Sequence, residues 1–170
     1  TKISENTIRF LDRCKIVVRY GVGYDDIDLK TLNKHGIHFC NVPDYGTEEV
    51  ADSACALLLA LHRRIFYYDN LSRKLDKDWQ NHSCKTPRFS KTTLGVVGVG
   101  RIGTALINRM KPFGVNIIGF DPFQPSGHEK AIGYDRVSSI YHMLPKCDLI
   151  SFHCPLNEDT SGIINMSLLS

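Results

Sequence analysis

The sequence predicts an α/β fold made of parts of two parallel-sheet domains, both incomplete. Short β-branched runs alternate with stretches that carry apolar residues at helical spacing. The links between them are short, as in parallel strand–helix–strand units. Between two such groups stands one long apolar-periodic stretch, from about residue 47 to about residue 73.

In chain order, Lys15–Tyr20 is the first strand and ends in Gly21-Val22-Gly23. Asp26–His35 has helical periodicity and stops at Gly36, and Ile37–Val42 is a second strand closed by Pro43. A long helix is expected over Thr47–Arg73. Glu48 and Glu49 suit the positive end of its dipole, and Val50, Ala51, Ala54, Leu57, Leu58, Leu61 and Ile65 form an expected buried stripe. Asp76–Lys91 is polar and aperiodic, a loop carrying Trp79 and Pro87. The second unit starts with a strand over Thr93–Val99. A helix over Arg101–Met110 follows, closing near Pro112 and Gly114, and then a strand over Val115–Phe120. A short strand near Tyr134–Val137, a helix over Ser139–Leu144 and a strand over Asp148–His153 come next. Asn157–Ser170 reads as a loop and the beginning of another helix. The first unit begins at a helix with no preceding strand, and the second stops after about four strands of an expected six.

The 170 residues are 42% hydrophobic and 23% charged, ordinary for a globular protein. A net charge of +3 with the signs interspersed argues against a nucleic-acid face. No apolar run approaches membrane-spanning length, so no membrane role is expected. The six cysteines (Cys14, Cys40, Cys55, Cys84, Cys147, Cys154) show no C-x-x-C spacing and read as free thiols in a reduced, cytoplasmic protein.

The run Gly98-Val99-Gly100-Arg101-Ile102-Gly103 follows the apolar Val96 and Val97 and opens a helix. A dinucleotide pyrophosphate needs this order. Gly98 makes the turn, Gly100 lets the backbone approach the phosphates, and Gly103 lets the helix pack close to the sheet. The first-turn amides of Arg101, Ile102 and Gly103 face the anion. Asp121, at the end of the next strand, can accept hydrogen bonds from the adenine-ribose hydroxyls. That favours NAD over NADP, because a 2′-phosphate would meet negative charge, and Pro122 and Phe123 supply no compensating arginine. Asp121 as a plain surface carboxylate is the alternative. Gly21-Val22-Gly23 can point successive amides at an anion, or can be an ordinary turn into the next helix.

Several separated segments resemble the D-isomer-specific 2-hydroxyacid dehydrogenases. They are Arg19-Tyr-Gly-Val-Gly-Tyr-Asp-Asp-Ile-Asp28, Gly36-Ile-His-Phe-Cys-Asn-Val-Pro43, Glu49-Val-Ala-Asp52, Leu57-Leu-Leu-Ala-Leu-His-Arg-Arg64, Gly98–Gly103, Phe120-Asp-Pro122, and Asp148–Leu156 with Thr160. Within that family, Glu48-Glu-Val-Ala-Asp52 is more similar to the C-terminal-binding-protein branch than to the phosphoglycerate-dehydrogenase branch. The resemblance implies a flavodoxin-like substrate domain over residues 1–46, a connecting helix and loop over 47–90, and a Rossmann NAD-binding domain over 91–170. It implies substrate-carboxylate binding by the amides of Val22 and Gly23, and a nicotinamide contact at Val50, which is equally a core valine. Cofactor contacts are implied at Cys154, Pro155 and Thr160, otherwise plain loop residues. A homodimer and a small 2-oxo or 2-hydroxy acid substrate are also implied.

The family's catalytic residues are an arginine in a Thr-x-Arg-Gly-like turn, a glutamate and a histidine. They match no segment of this chain, so no catalytic residue is assigned. The resemblance thus implies an internal fragment of an NAD-dependent oxidoreductase, inactive alone. The alternative is an NAD-sensing, transcriptional co-repressor-like interaction protein of the same family. His153 is expected to be structural or to line the cofactor site, and Cys154 lacks the base a nucleophile requires. Cys147, His153 and Cys154 do not make a zinc site, since neighbours on a strand point to opposite faces and no fourth ligand is evident.

Overall fold

A computed structural model describes residues 3–74 and 86–166. Trp79, His82, Cys84 and most of the polar stretch 76–91 lie outside the described residues, as do residues 167–170 and the helix expected to begin there. The chain divides into two units. One comprises Thr1–Gly46 with Pro155–Ile163, and the other Thr47–Cys154 with Ile164–Ser170.

In the first unit, β1 (Ile16–Arg19) and β2 (His38–Asn41) pair in parallel, Ile16 opposite His38 and Arg19 opposite Asn41. Helices α1 (Glu5–Ile8) and α2 (Leu29–Lys34) accompany them. Ile8, Ile27, Leu32 and Ile37 form the core. The sequence places the start of α2 at Asp26, but the Asp28 carboxylate sets it later. Asp28 accepts from the Thr31 N–H (3.0 Å) and from the Thr31 hydroxyl (2.7 Å), an N-cap that fixes where the helix begins. Those hydrogen bonds hold the Asp28 carboxyl below the usual carboxylate range.

The second unit has four parallel strands in the order β5-β4-β3-β6: β3 (Thr93–Val97), β4 (Asn116–Phe120), β5 (Asp135–Arg136) and β6 (Leu149–Phe152). This is the order of the first four strands of a Rossmann sheet. Between β3 and β4 runs the helix labelled α5 below, Arg101–Met110. Leu94 and Val96 of β3 meet Leu106, Ile107 and Met110 of this helix in one core, all five fully buried. Each such side chain contributes about 1.5–3 kcal/mol by leaving water.

The expected long helix is two helices. α3 (Thr47–His62) ends, and α4 (Ile65–Arg73) begins, around Arg64, whose φ of +55° is left-handed. His62 anchors the break. It is buried against the Phe89 ring, and its Nε2 lies 3.0 Å from the Pro87 carbonyl. The expected stripe also splits. Ala51 and Leu58 are buried, while Val50, Leu57, Leu61 and Ile65 are exposed, Leu61 by 61% against 6% for Leu58. The helix spreads its apolar residues over two faces, and only one of them packs on α5 and the core. Arg109 of α5 reinforces that contact by donating to both Glu48 and Asp52 of α3.

Helix α6 (His128–Ile132) has no counterpart in the sequence reading. It is too short to show periodicity and is bounded by Gly127 and Gly133, both at positive φ. Last comes α7 (Ile140–Met143), capped by the Ser139 hydroxyl and continued by a 3-10 turn over Leu144–Lys146.

Candidate dinucleotide site

The carboxyl ends of three strands converge in the second unit. β3 runs into Gly98-Val99-Gly100, β4 into Asp121 and β6 into His153-Cys154. β3 lies between β4 and β6, so the chain's connections leave it in opposite directions. In open α/β sheets, ligands bind at such a switch point.

The turn is shaped by close approach. Gly98 has a φ of +86°, and a Cβ on it would stand 2.7 Å from the Cys154 nitrogen and 2.8 Å from the His153 carbonyl carbon. A Cβ on Gly103 would stand 2.1 Å from the Gly98 carbonyl oxygen. Glycine at 103 thus lets α5 sit against the turn. No side chain caps α5, and the Thr104 N–H closes its first turn on the Gly100 carbonyl at 3.0 Å. The amides of Arg101, Ile102 and Gly103 precede that ladder, at the positive end of the helix dipole.

Asp121 ties β4 to the glycine turn. One carboxylate oxygen accepts from the Val99 N–H (2.8 Å) and the other from the Phe123 N–H (2.9 Å). Arg136 on β5, in register with Gly119 of β4, donates to the carbonyls of Asp121, Gln124 and Pro125. Sequence reading missed Arg136, because only the β4–β5 pairing brings it to this loop. Its guanidinium is engaged by those carbonyls and by Glu129 at 3.8 Å.

Of the other expected site residues, Val50 is exposed near the start of α3, and Cys154 is partly buried beside Gly98. His153 faces the Ser151 hydroxyl, with 2.9 Å between Nε2 and Oγ. Burial pushes its imidazole below the usual histidine range, so the neutral ring is favoured. In the 155–163 segment, the Thr160 hydroxyl donates to the Pro155 carbonyl (2.5 Å) and accepts from the Asn157 N–H (2.9 Å). That hydroxyl therefore closes its own loop.

In the first unit, both peptides of the Gly21-Val22-Gly23 turn are held from one side. The Val42 N–H donates to the Gly21 carbonyl (3.2 Å), and the Asn41 carboxamide donates to the Val22 carbonyl (2.9 Å). Among the described residues, the N–H groups of Val22 and Gly23 have no acceptor. Arg19, paired with Asp26 at 3.1 Å, and Asp25 flank the turn.

The residues at the switch point fit a dinucleotide. Nothing lies within 4 Å of where a Gly100 Cβ would stand, so the backbone there is open to a phosphate, while Gly98 and Gly103 are closed by packing. No group of three or more His, Cys, Asp or Glu side chains that could hold a metal ion occurs among the described residues. No described helix is long and apolar enough to cross a membrane.

Known proteins are similar to this chain in sequence and in fold. The NAD binding domain of the D-isomer specific 2-hydroxyacid dehydrogenases matches residues 55–170. C-terminal-binding protein 1 of Caenorhabditis elegans is 35% identical over 173 residues, covering 99% of this chain and 24% of that protein. D-3-phosphoglycerate dehydrogenase of Methanocaldococcus jannaschii is 34% identical over 165 residues, covering 96% of this chain and 31% of that one. The crystal structure of D-lactate dehydrogenase from Aquifex aeolicus, complexed with NAD and lactic acid, superposes with a TM-score of 0.88 at 29% identity. It covers 99% of this chain and 50% of that one. The chain thus spans a quarter to a half of the length of these relatives. Because the domain match takes in more than half of its residues, the chain belongs to the D-isomer specific 2-hydroxyacid dehydrogenase family, by way of the NAD-binding domain.

Proposed function

We propose that this chain is the cofactor-binding part of a longer NAD-dependent oxidoreductase that moves a hydride between nicotinamide and a 2-oxo or 2-hydroxy acid. The observation that carries the proposal is the switch point, where Gly100 is open, the Gly98 and Gly103 approach is closed, and Asp121 is fastened to the turn. Amides from Gly100 to Gly103 hold the pyrophosphate. Asp121 takes the adenine-ribose hydroxyls and selects NAD over NADP. Val50 borders the nicotinamide, while Cys154, Pro155 and Thr160 shape the chain beside the cofactor. The amides of Val22 and Gly23 bind the substrate carboxylate.

Bound nicotinamide supplies the hydride acceptor or donor. An arginine, a glutamate and a histidine from the remainder of the protein polarise the carbonyl and move the proton, so the 170-residue chain by itself turns over nothing. The exposed apolar residues Leu57, Leu61, Ile65 and Phe66 suit a homodimer contact. The protein works in the cytoplasm. The test is NADH oxidation by the full-length protein over a panel of 2-oxo acids. Turnover supports the proposal, as does loss of NADH affinity in Asp121→Ala, and reduction of a 2-oxo acid by the isolated chain contradicts the division of labour.

The 35% identity to C-terminal-binding protein 1 favours a second reading, an NAD-sensing interaction protein. Capture of short motif peptides by the full-length protein in an NADH-dependent manner, without 2-oxo acid turnover, would select it.

A further inference from the structure

We infer that Asn41 is a positioning residue for substrate. It aims the Gly23 amide at the substrate carboxylate by holding the preceding carbonyl from behind. The inference rests on the carboxylate-binding role proposed above for Val22 and Gly23.

The argument is one of peptide geometry. A trans peptide is planar, and its C=O and N–H point in opposite directions; no cis bond occurs among the described residues. The Gly21–Val22 peptide has its carbonyl on the Val42 N–H (3.2 Å), so the Val22 N–H faces away from β2. The Val22–Gly23 peptide has its carbonyl on the Asn41 Nδ2 (2.9 Å), so the Gly23 N–H faces away as well. Two successive donors thus point out on the side opposite the strand that holds them, where one anion can accept from both. The first peptide is fixed by backbone alone. Only a side chain fixes the second, and a glycine follows it, whose free φ and ψ would otherwise let the peptide flip.

Asn41 reaches the turn because it is the last residue of β2 and pairs with Arg19, the last residue of β1. It lies on the same strand face as Phe39, which packs on the core of this unit. The carboxamide is therefore carried by a strand paired in the sheet and anchored on that core. The residue needs a donor of this length without charge, since a carboxylate in its place would repel the carbonyl it must hold.

The experiment compares Asn41→Leu, an uncharged near-isostere without the donor, and Asn41→Gln with wild type in the full-length protein. The probes are the 2-oxo acid turned over fastest among pyruvate, 2-oxobutyrate and phenylpyruvate, and the carboxylate inhibitor oxamate. Asn41→Leu is expected to raise KM and the oxamate inhibition constant about tenfold, the loss of one hydrogen bond to a charged group. Its kcat should stay within about twofold and its NADH affinity should not change, and Asn41→Gln should recover part of the loss. A merely structural role would lower the melting temperature without this split.

A second readout needs no variant. In ¹⁵N-labelled wild-type protein, oxamate should move the amide protons of Val22 and Gly23 downfield. Wild type that binds oxamate without moving them, or Asn41→Leu that binds it equally well, overturns this inference alone. Wild type that neither reduces these acids nor binds oxamate overturns the carboxylate-site reading, and this inference with it.

Discussion

Alanine at Gly100 would add a methyl group where nothing lies within 4 Å, on a residue in extended backbone (φ −79°, ψ −150°) outside the left-handed region. Folding stability should therefore be unchanged or rise by up to about 1 kcal/mol, from the lower entropy of the unfolded chain. A pyrophosphate approaching the same backbone would meet that methyl. Losing one charge-assisted hydrogen bond of about 1.5–3 kcal/mol weakens binding by a factor of about ten to a hundred or more. Gly103→Ala is the contrast, since its Cβ would stand 2.1 Å from the Gly98 carbonyl oxygen. Relieving that overlap requires α5 to retreat by roughly 1.4 Å to reach normal contact. Overpacking of this kind costs about 1–3 kcal/mol, offset by about 1 kcal/mol of helix propensity. Thermal melts and NADH fluorescence titrations of the full-length variants separate the two. Gly100→Ala should keep its melting temperature and lose NADH, and Gly103→Ala should lose both. The reasoning fails if Gly100→Ala binds NADH within twofold of wild type, or if it melts as early as Gly103→Ala.

Other consequences can be checked alongside. Asp121→Ala strands the amides of Val99 and Phe123, so NADH affinity should fall at least tenfold while NADPH affinity improves relative to it; an unchanged ratio would contradict the ribose role. Leu106→Ala, at a fully buried position between α5 and β3, should cost about 2–5 kcal/mol in denaturant unfolding. The His153 pKa is lowered by burial. The stability that depends on its neutral ring should therefore be complete above the ordinary histidine value of about 6.5 and lost as pH falls through the lowered one. Melting temperatures from pH 8 to 5 should show this acid limb, and His153→Gln should flatten it. Burial raises the Cys55 and Cys147 thiols, so iodoacetamide at pH 8 should label exposed Cys40 well before either; equal rates would contradict their environments.

The second unit was the more legible in sequence, because its elements carry strong local marks. The Val96-Val97 run, the glycine turn and the Leu106-Ile107-Met110 face each announce strand, turn or helix without tertiary help. The break at Arg64 was not legible. No glycine or proline marks it, and His62 is buried by Phe89, far along the sequence. The stripe on α3 misled because periodicity reports an apolar side without saying which side is covered. Leu57 and Leu58 are both leucine, yet only Leu58 is buried. In the candidate site, Gly98, Gly103 and Asp121 could be picked out by spacing. Arg136 and Asn41 could not, since each acts on a loop that only strand pairing brings near. The Thr160 hydroxyl shows the converse, a motif residue whose polar atoms are engaged within its own turn.

The dinucleotide assignment is tested most directly by hydrogen–deuterium exchange of the full-length protein with and without saturating NADH. It predicts slowed exchange at the amides from Gly100 to Gly103 and around Asp121, with β5 little changed. NADH that binds and protects other segments while leaving the Gly98–Gly103 turn unprotected would contradict it.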